Sequence, residues 1–212
     1  MRVELLGHSP EPERLVCAAA RSCYAAGEFE GVWRRPPDPE FLHGLIRRGH
    51  ESPLEHASFT FLLEGVSRCL THQLVRHRLA SYSQQSQRYV RMGEAACVVP
   101  PSVAARPAAR RRFERIWQEA LRAYRELLAE GVPAEDARYL LPQACQTRIV
   151  VTMNARELRH FFRLRLCRRA QWEIREAAKR MLALVRQVAP SLFRDAGPPC
   201  LGGECPEGER GC

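Results

Sequence analysis

The chain has 212 residues, 45% of them hydrophobic, enough for one ordinary domain with a real core. Its formal net charge of +9 comes from 33 basic residues, with Lys179 the single lysine, against 24 acidic ones; this is no basic tail, and it fits either a solvated Arg-rich surface or an anionic ligand such as a nucleotide, a pteroylglutamate or nucleic acid. No apolar run can span a bilayer and Met1 to Leu6 lacks the apolar core of a signal peptide, so a cytoplasmic protein without membrane partners is expected.

Val3 to Leu6 reads as a short strand. Ser9 and Pro10 read as the cap and first turn of a helix to about Tyr24. Residues 27–37, with Gly, Trp and paired prolines, read as a loop, and Asp38-Pro39 restarts a helix that stops at Arg47-Arg48-Gly49. Ala57 to Glu64 is rich in Phe, Thr and Leu and reads as a strand. Ser67 caps a predicted helix through Leu79, which puts Leu70, Leu74 and His77 on one face and Gln73 and Arg76 on its neighbour. The Ser/Gln run after Ala80 reads as a loop, and Cys97 to Val99 as a short strand stopped by Pro100-Pro101.

A helix follows from about Ala108 to Glu130, with Phe113, Trp117, Ala120, Tyr124 and Leu127 as its apolar stripe. A short helix follows Pro133 and stops before Pro142. Gln146 to Met153 alternates and is β-branched, hence a strand. Asn154 and Glu157 have capping-box spacing for a helix through about Leu166, and a last helix runs from about Arg168 to Val188. Residues 1–194 read as one domain and 195–212 as a Gly/Pro/Cys-rich tail. Helices outnumber strands without regular alternation, which predicts an α+β fold rather than a doubly wound sheet. There is no Gly-x-Gly-x-x-Gly after a strand and no Walker-type loop, so any flavin or nucleotide is held by other means.

The run Arg76-His77-Arg78 to Arg88-Tyr89 carries basic side chains, then hydroxyls and amides. Such a run suits an anion and the polar edges of a flat heterocycle. On the helix after Asn154, Leu158, Phe161, Phe162 and Arg165 share one stripe. Arg165 there is either an end-of-helix Arg with its head in water or a guanidinium aimed into a pocket, stabilising charge on a ring. Arg156, His160 and Arg163 occupy another face, which by itself reads as solvated; Asn154 is by itself a good N-cap. His50, Glu51, Glu55 and His56 cluster, but their spacing fits no common metal motif. Cys17, Cys23, Cys69, Cys97, Cys145 and Cys167 read as small buried hydrophobes. Cys200, Cys205 and Cys212 are either free thiols or part of a thiophilic site lacking its fourth ligand, and no metal is assigned.

Three blocks together resemble the flavin-dependent thymidylate synthases. The first is Arg76-His77-Arg78, seven residues, then Ser86, with Arg88-Tyr89 after it. The second is Asn154-Ala155-Arg156, Leu164-Arg165 and Arg169-Ala170-Gln171-Trp172-Glu173-Ile174. The third is Gly49-His50-Glu51-Ser52-Pro53. Their order matches over about residues 1–190. The resemblance implies reductive methylation of dUMP to dTMP, with methylenetetrahydrofolate as carbon donor, FAD as cofactor and NADPH as reductant. It implies a mainly antiparallel sheet flanked by long helices in a homotetramer whose active sites are shared between subunits.

By that resemblance, Ser52, Arg76, His77, Arg78, Gln84, Asn154, Arg156 and His160 match FAD-contacting positions, and His50 lies near flavin and folate. Gln73, Arg76, Gln84, Gln85, Ser86, Gln87, Arg88, Arg138 and Arg165 match dUMP-binding positions. Arg165 matches the Arg that favours ionisation of the uracil ring, which replaces an attacking cysteine. Ser86 lacks a local base and is assigned to dUMP binding. The chain departs from the family pattern at Gln84, where many relatives carry Glu, at His160, where some carry Asn, and at Arg163, which adds charge. Two other readings compete. A thymidylate synthase with a Cys nucleophile would use Pro199-Cys200, which here lacks that enzyme's surrounding residues. A nucleic-acid module would gather its Arg residues in a stripe, whereas Arg88, Arg138 and Arg165 are dispersed, so no nucleic-acid partner is expected.

Overall fold

The computed structural model describes residues 1–202 and 208. Cys205 and Cys212, two members of the cysteine tail, lie outside the described residues. The elements run β1 (Arg2–His8), α1 (Pro12–Ser22), α2 (Phe29–Trp33), α3 (Pro39–Arg47), β2 (Ser58–Ser67), α4 (Arg68–Leu74), β3 (Ala80–Gln84), α5 (Pro101–Ala104), α6 (Pro107–Ala129), α7 (Ala134–Ala137), β4 (Gln146–Asn154), α8 (Ala155–Arg165), α9 (Trp172–Val188) and α10 (Pro190–Phe193). Short 3-10 turns cover Ser52–His56, Arg138–Leu140 and Pro199–Gly202. The four strands form one antiparallel sheet in the order β1-β2-β4-β3, so the chain is α+β. No helix among the described residues is long and apolar enough to cross a membrane.

The register follows from the side-chain pattern. On β2 the residues Phe59, Phe61 and Leu63 are buried in alternation, and on β4 Thr147, Ile149, Val151 and Met153 are. Thr60, from the other face of β2, meets Thr152 of β4, hydroxyl to hydroxyl, at 2.9 Å. Further along, Glu64 pairs with Arg148, so partner numbers fall as β2 numbers rise, as antiparallel pairing requires.

The chain divides into two compact units. One comprises Met1–Arg2, Glu64–Leu74 and Ser83–Ile149. Its core gathers Trp117, Leu121 and Tyr124 of α6 with Met92, Ala137 and Cys145. The Met92 N–H donates to the Tyr124 hydroxyl at 3.0 Å, which gives that buried phenol the polar partner it needs. The other unit comprises Val3–Leu63, Val75–Tyr82 and the described residues from Val150 onward. Its core is a chain of edge-to-face rings: Phe59 on Phe193 at 5.4 Å, Phe193 on Phe162 at 5.9 Å, and Phe162 on Phe161 at 5.7 Å.

Several expectations change. The helix expected from Ser67 to Leu79 ends at Leu74, although Ser67 Oγ does accept from the Leu70 N–H as a cap. The Ser/Gln run is not a loop at its start: Ala80 to Gln84 form β3, because pairing with β4 at the sheet edge supplies the hydrogen bonds that weak strand propensity does not. Residues 29–33 are a short helix inside the expected loop. Cys97 makes only an isolated antiparallel bridge to Cys145 rather than a strand. Ser9 does not cap α1, which starts at Pro12 after Glu11; its Oγ accepts instead from the Ser58 N–H at 3.0 Å, tying the end of β1 to β2.

Candidate active site

Helix α8 organises the larger predicted cluster. Asn154 ends β4, and its Oδ1 accepts from the Glu157 N–H at 2.9 Å, starting the helix. Leu158, Phe161 and Phe162 then face the core, as their spacing predicts, and Arg165 closes the stripe half-buried. The Glu157 carboxylate does not reach back to complete the capping box. It turns to His77, with Oε1 at 3.1 Å from Nδ1. Arg165 Nε donates to the opposite ring nitrogen, Nε2, at 3.0 Å. Phe161 packs edge-on to the His77 ring at 5.0 Å, His160 does so at 5.8 Å, and the Tyr82 hydroxyl donates to the His77 carbonyl at 2.7 Å.

The electrostatics follow from burial. Burial, with the nearby Arg165 and His160 charges adding to it, pushes the His77 imidazole down from 6.5 to about 4. His77 is thus neutral, and its contact with Glu157 is a hydrogen bond rather than an ion pair. Burial raises Glu157 above the usual carboxylate value, opposed by His160. It raises the Tyr82 phenol well above its ordinary value too, with Glu157 adding to it and Arg165 opposing it. Arg165 is lowered by burial, yet a guanidinium starts so high that it keeps its charge.

The Arg-His-Arg run is therefore split by burial: His77 points inward while Arg76 and Arg78 are exposed. Beside this cluster lies a cleft of about 440 Å³, lined among others by Glu51, Arg156, Glu157, His160 and Arg163. Arg156 reaches across to Glu55 of the 52–56 turn and to Glu51, which ties the Gly49-to-His56 block to α8. His50 and Ser52 sit exposed at the start of that block. Arg159 donates to the Leu192 carbonyl and pairs with Asp195 at 2.8 Å. Burial tends to raise Asp195, and the Arg159 contact outweighs it and holds the carboxyl below its ordinary value.

The remaining predicted residues belong to the other unit. Gln73 donates to the Cys69 carbonyl within α4. Gln84 Nε2 donates to Thr71 Oγ1 at 3.1 Å and lies 3.4 Å from Thr147 Oγ1. The Gln85 N–H bonds to the Arg148 carbonyl, and Ser86 Oγ accepts from the Arg88 N–H, so that hydroxyl closes a turn. Gln87 is buried with its amide against the Cys145 sulfur at 3.6 Å, on the core side of the run. Arg88 and Arg138, fifty positions apart in sequence, converge on Glu135: Arg88 Nε meets its carboxylate at 2.8 Å and Arg138 Nε its carbonyl at 3.0 Å.

Sequence reasoning missed Glu157, Tyr82 and Glu135 as members of these clusters. Glu157 had a visible signal: it lies four residues before Phe161 and eight before Arg165, at the edge of the apolar stripe. Tyr82 lay inside the singled-out run of residues 76–89 without a role of its own, and Glu135 had no signal.

A model of the family described as "Thymidylate synthase complementing protein" matches residues 4–191. A flavin-dependent thymidylate synthase of Geobacter sulfurreducens is 55% identical over 217 aligned positions, covering 100% of this chain and 94% of its own. One from Pyrococcus furiosus is 43% identical, covering 98% of this chain and 90% of its own. Among solved structures, a UMP/dUMP methylase, PolB, from Streptomyces cacaoi, crystallised with 5-Br dUMP, superposes with a TM-score of 0.77 at 27% identity, over 91% of this chain and 93% of that one. With a family model spanning nearly the whole fold and relatives this similar over full length, the chain belongs to the flavin-dependent thymidylate synthases.

Proposed function

We propose that this chain methylates dUMP to dTMP, with methylenetetrahydrofolate as carbon donor, FAD as cofactor and NADPH as reductant. The observation that carries the reading is Arg165, a cation held half-buried by a neutral histidine at the end of α8. Uracil C5 becomes a nucleophile when negative charge develops on the ring, and a fixed guanidinium stabilises that charge without reorganising. Opposite charges about 4 Å apart gain about 1 kcal/mol in water and about 4 at the effective dielectric of a partly dry site. The difference of about 3 kcal/mol corresponds to roughly a hundredfold in rate.

Arg88 and Arg138 supply the paired cations suited to the dUMP phosphate, with Ser86 and the neighbouring amides beside them. Gln73 and Gln84 offer polar edges to the base. On α8, Arg156 and His160 line a polar cleft together with Arg163, a donor set that fits the diphosphate of FAD. Arg76 and Arg78 add exposed cations, and Asn154, with Oδ1 occupied by the Glu157 N–H, would use its amide nitrogen. His50 and Ser52 complete the flavin and folate side. FAD, when bound, supplies the reducing equivalents. As the family resemblance implies, the working form is a cytoplasmic homotetramer whose catalytic domain is residues 1–194.

An absorbance spectrum of the purified protein, with anaerobic NADPH added in the presence and absence of dUMP, tests the reading together with Arg165→Ala. The wild type and the variant are expected to carry flavin that NADPH bleaches. The variant is expected to lose dTMP formation by roughly a hundredfold, following the charge argument. Protein that stays colourless after FAD addition, or near-normal turnover by Arg165→Ala, would count against it.

A further inference from the structure

Arg165 donates through Nε to His77 Nε2 at 3.0 Å. A guanidinium has donors only, so Nε2 must accept. A neutral imidazole that accepts at Nε2 carries its hydrogen on Nδ1, and Nδ1 lies 3.1 Å from Glu157 Oε1. Each hydrogen in this row therefore has one direction: Arg165 donates to His77, and His77 donates to Glu157. Glu157 and His77 are 5% and 4% exposed, so water offers no substitute acceptor. Turning the ring over would place a carbon opposite Glu157 and another opposite Arg165. Phe161 against the ring and the Tyr82 hydroxyl on the His77 carbonyl hold it in place.

We propose that Glu157 is a positioning residue for Arg165, acting through His77. By accepting from Nδ1 it keeps Nε2 an acceptor, and that acceptor orients the guanidinium toward the pyrimidine. The orientation of Arg165 for catalysis rests on the function proposed above; the hydrogen-bond row itself does not. The backbone N–H of Glu157 caps α8 on Asn154 while its carboxylate goes to His77. When ionised, the carboxylate only accepts, so it meets the Nδ1–H whichever oxygen faces it.

The test has two readouts on the FAD-loaded enzyme. Nitrogen NMR of histidine-labelled wild type reads the tautomer directly, with His77 expected to be protonated on Nδ1 and bare on Nε2. A ring protonated on Nε2, or on both nitrogens at neutral pH, would overturn the proposal. In turnover per bound flavin, Glu157→Leu is expected to lose up to roughly a hundredfold, the loss argued above for Arg165 itself. Glu157→Gln, whose amide oxygen still accepts, is expected to recover most of that loss. In an Arg165→Ala background Glu157→Leu should cost nothing further; a full additional loss would mean that Glu157 does not act through Arg165. Should Glu157→Leu fail to fold, the wild-type tautomer still decides. Normal turnover by Arg165→Ala with the expected tautomer would remove the catalytic role of Arg165 alone, whereas the opposite tautomer in an active enzyme would remove the relay alone.

Discussion

Tyr82 gathers several of the forces acting on single residues in this molecule. Its hydroxyl donates to the His77 carbonyl at 2.7 Å, and burial raises its phenol above the ordinary 10.0. A folded-state value above the unfolded one means stability that is complete below the unfolded value and is lost as pH climbs past it. Cys17 and Cys145, raised by burial from 9.0, act in the same direction one unit earlier. Unfolding midpoints in denaturant should therefore decline above about pH 9, and more steeply above about pH 10. Tyr82→Phe should cost about 1 kcal/mol at neutral pH through the lost hydrogen bond. It should also share the decline that begins near pH 9 but not the added slope beyond 10. Parallel curves for the two proteins up to pH 11 would show that Tyr82 ionisation has no part in it. Residue type alone carried the Arg165 site only halfway: an Arg on an apolar stripe is visible, but its partner lies 88 positions away and is a histidine expected on a helix that stops short of it.

At the scale of elements, α8 is the part most legible in the sequence and also the part that does most. Its start at Asn154, its stripe and its end near Leu166 all follow from capping and the 3.6-residue period. The stripe joins the site to the core, since Phe161 touches His77 and stacks on Phe162, which stacks on Phe193. Phe162→Ala, opening a cavity at a fully buried ring, should cost about 3–5 kcal/mol in denaturant unfolding. A cost under about 1 kcal/mol would show that the ring row is not the support of α8. β3 was illegible for a physical reason. Ala-Ser-Tyr-Ser-Gln has little strand propensity of its own, and the edge of β4 makes it a strand. The end of α4 at Leu74 was hidden too: the helix stops short of His77, whose ring sits instead between Glu157 and Arg165.

For the molecule as a whole, composition and element order anticipated an α+β chain, and the antiparallel sheet agrees. What composition left open was the ligand: a charge of +9 suits a nucleic acid as well as a nucleotide. Membership in the flavin-dependent thymidylate synthases narrows that choice. Arg88 and Arg138 meet at Glu135, Arg156 and His160 line a cleft, and Arg165 is held by a buried histidine. The most direct test is formation of dTMP, followed by mass spectrometry, from dUMP, methylenetetrahydrofolate and NADPH by the purified chain with and without FAD. The account predicts dTMP only when FAD is present. No dTMP from the FAD-loaded protein, or equal yield without FAD, would contradict it.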